Sequence, residues 1–382
     1  MTAIDCAGAG RSAELAESIL SIRLAPARRS ELVEMLAEQS AIYAGLGSGE
    51  AERLRGFVLA SFENVGLPDG ALPFVLEELG TGINPYTVGA AAKALRGADR
   101  ICDRGLRLLG EAARRIEAND DWVQYETIDP QNRTAARTTA LAEIIHTIGL
   151  TGGRGRPLID AMAAKSNVSL DVMAAIEAAR RAAPAAAETE HCCCAAPPPP
   201  SQTATATAAG ASVDDLELQD QSGGRFRYRA FFRTRPSVLA FFYTRCMNPQ
   251  KCSLTIGKLA ALQRRLALLD MGDRINLAAL TYDPAYDRAR QLQAYGLERG
   301  FRFDERNRFL RCVESFEPIR LKFDLGVGFG SATVNQHSVD LLILDTQGEP
   351  AARFSRILWE ETEIVEALDR LLGASPLAIA GG

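Results

Sequence analysis

Two cysteines, Cys246 and Cys252, share the stretch Tyr243-Thr244-Arg245-Cys246-Met247-Asn248-Pro249-Gln250-Lys251-Cys252-Ser253. Before it, Ser237-Val238-Leu239-Ala240-Phe241-Phe242-Tyr243 is an unbroken apolar, β-branched and aromatic run, the signature of a buried strand. After it, Leu254, Ile256, Leu259, Leu262 and Leu266 recur at helical spacing with Lys258, Gln263 and Arg264 between them. Both thiols therefore belong to a turn between a central strand and the first turn of a helix. The positive end of the helix dipole favours a thiolate there, which suits either thiol chemistry or capture of a soft metal ion. His337 stands at the mouth of a later apolar strand, and a lone histidine in that place is by default a satisfied structural group. The same default covers His146, inside Ile144-Ile145-His146-Thr147-Ile148. Cys312 reads as a small buried hydrophobe, and Asp283 as a turn acid at a strand end.

The elements that must position these groups begin near Val213. Leu216-Glu217-Leu218 and Arg225-Phe226-Arg227-Tyr228, joined through Asp220 to Gly224, read as an edge hairpin. The strand at Ser237 and its cysteine turn follow. Ile275 to Leu280 is a second buried strand ending in Tyr282-Asp283-Pro284, with a helix over 285–295. After a less regular stretch, Ser338 to Asp345 is a further strand. A turn at Thr346 to Glu349 leads to a partner strand at Ala351 to Phe354, and 361–372 closes as a helix. This alternation predicts an α/β, thioredoxin-like order over 212–375.

At these residues the region resembles the SCO/SenC family of copper chaperones. The resemblance rests on the hairpin, the aromatic–Thr–x–Cys turn Phe242-Tyr243-Thr244-Arg245-Cys246, Asp283-Pro284 with Asp287, His337-Ser338, and the Asp345 to Gly348 turn. It implies that Cys246, Cys252 and His337 bind one copper ion, Cu(I) or Cu(II), for delivery to a copper-accepting partner protein. Family members usually hold three residues between the cysteines, with Pro after each; this chain holds five, and neither cysteine precedes Pro. They are also usually membrane-anchored and extracytoplasmic. The residues alone leave a second reading open, a thiol–disulfide oxidoreductase or thiol peroxidase in which Cys246 attacks and Cys252 resolves.

The rest of the 382-residue chain carries a net charge of −5, which supports neither a nucleic-acid nor an anionic-membrane footprint. No apolar stretch is long enough to span a bilayer, and the first 20 residues lack the pattern of a secretory signal, so the expected compartment is the cytoplasm. Residues 1–181 read as successive helices separated by Gly, Pro and Asp turns, resembling HEAT or armadillo pairs and suited to docking a partner. Within them, 120–137 breaks the pattern as a long loop whose Trp122 and Tyr125 pack on the helices. Residues 182–211 form an Ala/Pro/Thr-rich linker containing His191-Cys192-Cys193-Cys194. Adjacent thiols in a segment without a core have no packing role and suit soft-metal capture. Replacing Cys192, Cys193 and Cys194 with Ser is expected to lower copper stoichiometry, measured by metal analysis, without changing the spectrum of the remaining bound ion. Unchanged stoichiometry would mark the triplet as compositional.

Overall fold

The computed structural model describes residues 14–129, 136–165, 169–181, 213–331, 333–356 and 359–374. The linker motif His191 to Cys194 lies outside them. Two compact units emerge. One comprises the described residues up to 181 together with Gly328–Gln336; the other comprises those from 213 to Val327 and from His337 onward.

The first unit is helical. Ser48–Val65 is its longest helix in the described residues, and Leu54, Phe57, Val58 and Phe62 on it are buried. It packs against Pro85–Ala94, whose start is fixed by the Asn84 side chain accepting from Tyr86 N–H at 3.0 Å. Ser30 lies inside Arg29–Leu36, and that helix carries no side-chain cap. The 120–137 loop divides its aromatics. Tyr125 is buried and donates to the Tyr86 carbonyl at 2.8 Å, while Trp122 is exposed. A short piece of the loop, Trp122–Val123, pairs antiparallel with Thr138–Thr139.

The second unit is built on a seven-stranded sheet: β1 Glu217–Asp220, β2 Arg225–Arg227, β3 Ser237–Phe242, β4 Asn276–Thr281, β5 Asn307–Cys312, β6 Asp340–Leu344 and β7 Pro350–Ser355. Their spatial order is β7-β6-β3-β4-β5-β1-β2. β3, β4 and β5 run parallel; β6 and β1 flank them antiparallel. All residues of β3 and β4 are buried, as expected for strands covered on both faces, which is why they are continuously apolar rather than alternating. This is the thioredoxin-like arrangement, after a mostly helical N-terminal region. The turn after β6 closes as foreseen: Asp345 accepts from Gln347 and Glu349 N–H, and Gly348 takes the φ of 72° that a side chain would strain.

Two parts of the α/β reading change. β5 falls in the stretch expected to be irregular, because Arg308 and Arg311 interrupt its apolar pattern. Arg308 pairs with Asp220 at 3.0 Å, and Arg311 is buried with its guanidinium on the Gln219 side chain and the Pro284 carbonyl. The helix expected over 285–295 is Ala289–Glu298 instead, since Asp283 to Arg288 is taken up by a turn in which Asp287 N–H bonds the Asp283 carbonyl at 2.9 Å.

In the helical unit, Arg55 and Glu38 form a fully enclosed ion pair at 3.1 Å, 4% and 2% exposed, and the guanidinium also holds the Leu36 carbonyl at 2.6 Å. Removing one member takes the opposite charge away from the other in a buried place. Arg55→Ala should therefore destabilise this unit by about 3–5 kcal/mol, seen as a lower urea midpoint of the helical signal in circular dichroism. A midpoint unchanged from wild type would mean the pair contributes nothing.

Candidate metal centre

The cysteine turn begins where β3 ends, at the carboxyl edge of the parallel strands, where open α/β sheets bind ligands. Its path is set by a buried carboxylate. Asp287, fully enclosed, accepts from Thr244 N–H at 3.0 Å, from Thr281 Oγ1 at 2.5 Å, and from the Thr244 hydroxyl. Burial pushes its carboxyl above the ordinary range although those three donors pull the other way. Thr244 is two residues before Cys246, so this anchor fixes where the first thiol emerges. Asp283 turns aside to Arg245, whose guanidinium also covers the Tyr286 ring at 4.3 Å. It touches no cysteine or histidine among the contacts of the described residues.

The five intervening residues are accommodated by a wide turn. Asn248 Oδ1 accepts from Gln250 N–H at 2.8 Å, and Pro249–Ser253 form a π-helical turn that runs into the helix Leu254–Leu268. A π turn takes up extra chain within one turn of helix, and here it returns Cys252 to the side of Cys246. Cys252 is fully buried, Cys246 only half so, and Met247 beside it is exposed.

His337 arrives from the opposite side in sequence. It ends the short strand Val334–His337 rather than starting the strand that follows, β6. Its Nδ1 lies 3.0 Å from the Ser338 carbonyl, which can only accept, so Nδ1 carries a proton and the neutral form of the ring has its lone pair on Nε2. Tyr282 Oη donates to the same carbonyl at 2.9 Å, and Ser338 Oγ bonds the Gly326 carbonyl and Asp340. The rings of Tyr243 and Tyr282 flank the imidazole at 5.2 and 5.6 Å.

Nε2 of His337 is 3.5 Å from Cys246 Sγ and 3.8 Å from Cys252 Sγ, and all three donor atoms lie within 4.8 Å of one another. Bonds of about 2.0–2.3 Å to a central ion bridge that span with small shifts. The donor set, two sulfurs and one neutral imidazole nitrogen with no carboxylate, fits a soft ion. The two thiols differ. A hydrogen bond from the Cys252 thiol holds Cys246 well below the ordinary thiol range against the opposing effect of burial. Burial pushes Cys252 well above it.

The remaining candidates are not members of this group among the described residues. Cys312 is enclosed in β5, its thiol pushed up to about 12 by burial. His146 is exposed on the helix Ala140–Gly149, and Cys102 is disulfide-bonded. Asp287 is the positioning group, named in the sequence without a task; its place four residues after Asp283 of the Asp-Pro turn is the signal that could have found it.

The sequence model of the SCO1/SenC family matches residues 204–373. No curated protein matches the chain. Among solved structures, the SCO1/SenC family lipoprotein from Bacillus anthracis str. Ames is 20% identical, with 42% of this chain and 96% of that one covered at a TM-score of 0.36. Bradyrhizobium japonicum ScoI with copper bound is 18% identical, with 41% and 96% covered and a TM-score of 0.33. Yeast Sco1 with copper bound is 17% identical, with 42% and 90% covered and a TM-score of 0.32.

The unequal thiols give a direct test. At about pH 6, some two units below the ordinary thiol pKa of ~8.5, iodoacetamide should modify Cys246 readily. The pKa of Cys246 is depressed, so its thiolate persists as pH falls. Cys252 should react only after unfolding. Peptide mass spectrometry showing the reverse order would overturn this assignment.

Proposed function

We propose that this chain, whose residues 204–373 match the SCO1/SenC family model, is a copper-binding protein that holds one ion through Cys246, Cys252 and His337 and passes it to a partner protein. The observation that carries this reading is the convergence of two sulfurs and a lone-pair-bearing Nε2 within 4.8 Å. Copper is the cargo. Two thiolates satisfy Cu(I) in near-linear geometry, and the imidazole adds the harder donor that Cu(II) accepts. The ion leaves by ligand exchange, in which a soft ligand of the acceptor adds before a protein sulfur departs, with no change of oxidation state. Cys252 is sealed while Cys246 is half-exposed, so the incoming ligand approaches on the Cys246 side. Docking of the acceptor falls to the helical region in this reading. No helix of the described residues is long and apolar enough to cross a membrane.

The pair of unlike thiols favours one alternative, a thiol–disulfide oxidoreductase. There the Cys246 thiolate attacks a partner disulfide, releasing one partner thiolate and forming a mixed disulfide. Cys252, once deprotonated, displaces the second, so the partner gains the two electrons that this chain loses as it closes Cys246–Cys252.

The two readings separate at His337. For a copper site, His337→Ala should weaken Cu(II) binding by a larger factor than Cu(I) binding, and Cys246→Ser or Cys252→Ser should abolish tight binding of both. These affinities are measured by competition titration, anaerobically for Cu(I). For the oxidoreductase, His337→Ala leaves disulfide reduction intact while either cysteine change stops it. Cu(II) binding unaltered in His337→Ala would sink the copper site.

A further inference from the structure

The segment that delivers His337 is grouped with the helical unit. Val327 and His337 belong to the α/β unit, but the residues between them, Gly328–Gln336, are part of the helical unit. Within that unit they are held by the loop between Arg29–Leu36 and Ser48–Val65. Asn335 Nδ2 donates to the Tyr43 carbonyl at 2.8 Å and to the Leu46 carbonyl at 3.0 Å. Gly45 N–H donates to the Phe329 carbonyl at 3.2 Å, and Gly45 and Gly330 form a parallel bridge. The approach is close enough to exclude side chains: a Cβ on Gly328 would stand 2.4 Å from the Glu38 carbonyl oxygen, and one on Gly330 would stand 2.6 Å from that of Leu46. Glu38 is itself clamped by Arg55, so the loop is braced from within. Asn335 is 9% exposed, and among the described residues its Oδ1 has no partner; its work is donation.

We propose that Asn335, through this grip, is a positioning residue for His337, two residues along the same strand, while the thiols are set by the Asp287 anchor. This rests on the copper reading for its consequence but not for its test. Asn335 and His337 are two residues apart on one extended strand, about 7 Å of chain. A strand fixed at Asn335 leaves the imidazole little room to swing, and the Ser338 bond then fixes its tautomer. The cysteines have no share in this restraint.

The test uses the full chain in two variants that act through different atoms, Asn335→Ala, which removes both donors, and Gly330→Ala, which drives a methyl into the Leu46 carbonyl. The first readout needs no metal: ¹⁵N NMR of the His337 ring. Wild type should show a single Nδ1–H tautomer in slow exchange; both variants should broaden or shift it. The second readout is metal affinity. Both variants should lose Cu(II) affinity by about 10–100-fold, the usual effect of freeing a ligand from its support, with Cu(I) affinity within error of wild type. A His337 signal unchanged in both variants would overturn the proposal. Equal loss of Cu(I) and Cu(II) would also overturn it, since the segment would then support the whole α/β unit rather than the imidazole. If the wild-type chain binds no copper, the function proposed above fails, and the histidine signal of the metal-free variants still decides this one.

Discussion

The imidazole of His337 faces two thiols because its other nitrogen is occupied. Nδ1 donates to the Ser338 carbonyl, Tyr282 donates to the same oxygen, and the Ser338 hydroxyl is tied in turn to Gly326 and to Asp340. A carbonyl accepts only, so the tautomer follows from the backbone rather than from the metal. Ring rotation would break this bond in a buried setting, where an unmade hydrogen bond costs about 1–3 kcal/mol. The arrangement thus holds a basic nitrogen aimed at sulfur before any ion arrives, and removes part of the ordering cost of binding.

The thiol side is organised by a different device. Asp287 is a carboxylate in an enclosed place, and its donors come from Thr244 on the cysteine turn and from Thr281 at the end of β4. One buried acid therefore ties the adjacent parallel strands β3 and β4 together just beyond their last paired residues, Phe242 and Thr281. The loop beyond can then be long without being loose, because its entry is fixed by Asp287 and its exit by the helix. The π turn absorbs the surplus chain between these two fixed ends.

Much of this was legible in the residues and some of it was not. Ser237 to Phe242 announces itself because a strand covered on both faces needs apolar residues at every position. Asn84-Pro85 announces a helix start because side-chain oxygen and fixed φ act locally. Asn307 to Cys312 hides as a strand, since Arg308 is paired with Asp220 and Arg311 donates a hydrogen bond to Gln219, partners some 90 residues away that no local window contains. The cysteine pair could be read as reactive from its place before a helix. Its convergence with His337 could be anticipated only through family resemblance, because spacing of 85 and 91 residues carries no geometry. Least legible was the allegiance of Gly328 to Gln336, whose partners are main-chain carbonyls, groups that every sequence possesses.

That allegiance bears on how the chain is made. The helical unit occupies the N-terminal part of the chain, yet one of its pieces is translated only after five of the seven sheet strands of the α/β unit. Asn335 bonds across 292 positions to Tyr43. Domains usually fold in the order of synthesis, each as its last residue clears the ribosome; here the first to begin is not the first to finish. The loop from Tyr43 to Leu46 must wait with its carbonyls open to water while roughly 280 further residues emerge, and a contact of such separation closes slowly. Completion of the helices is thereby linked in time to completion of the late sheet hairpin.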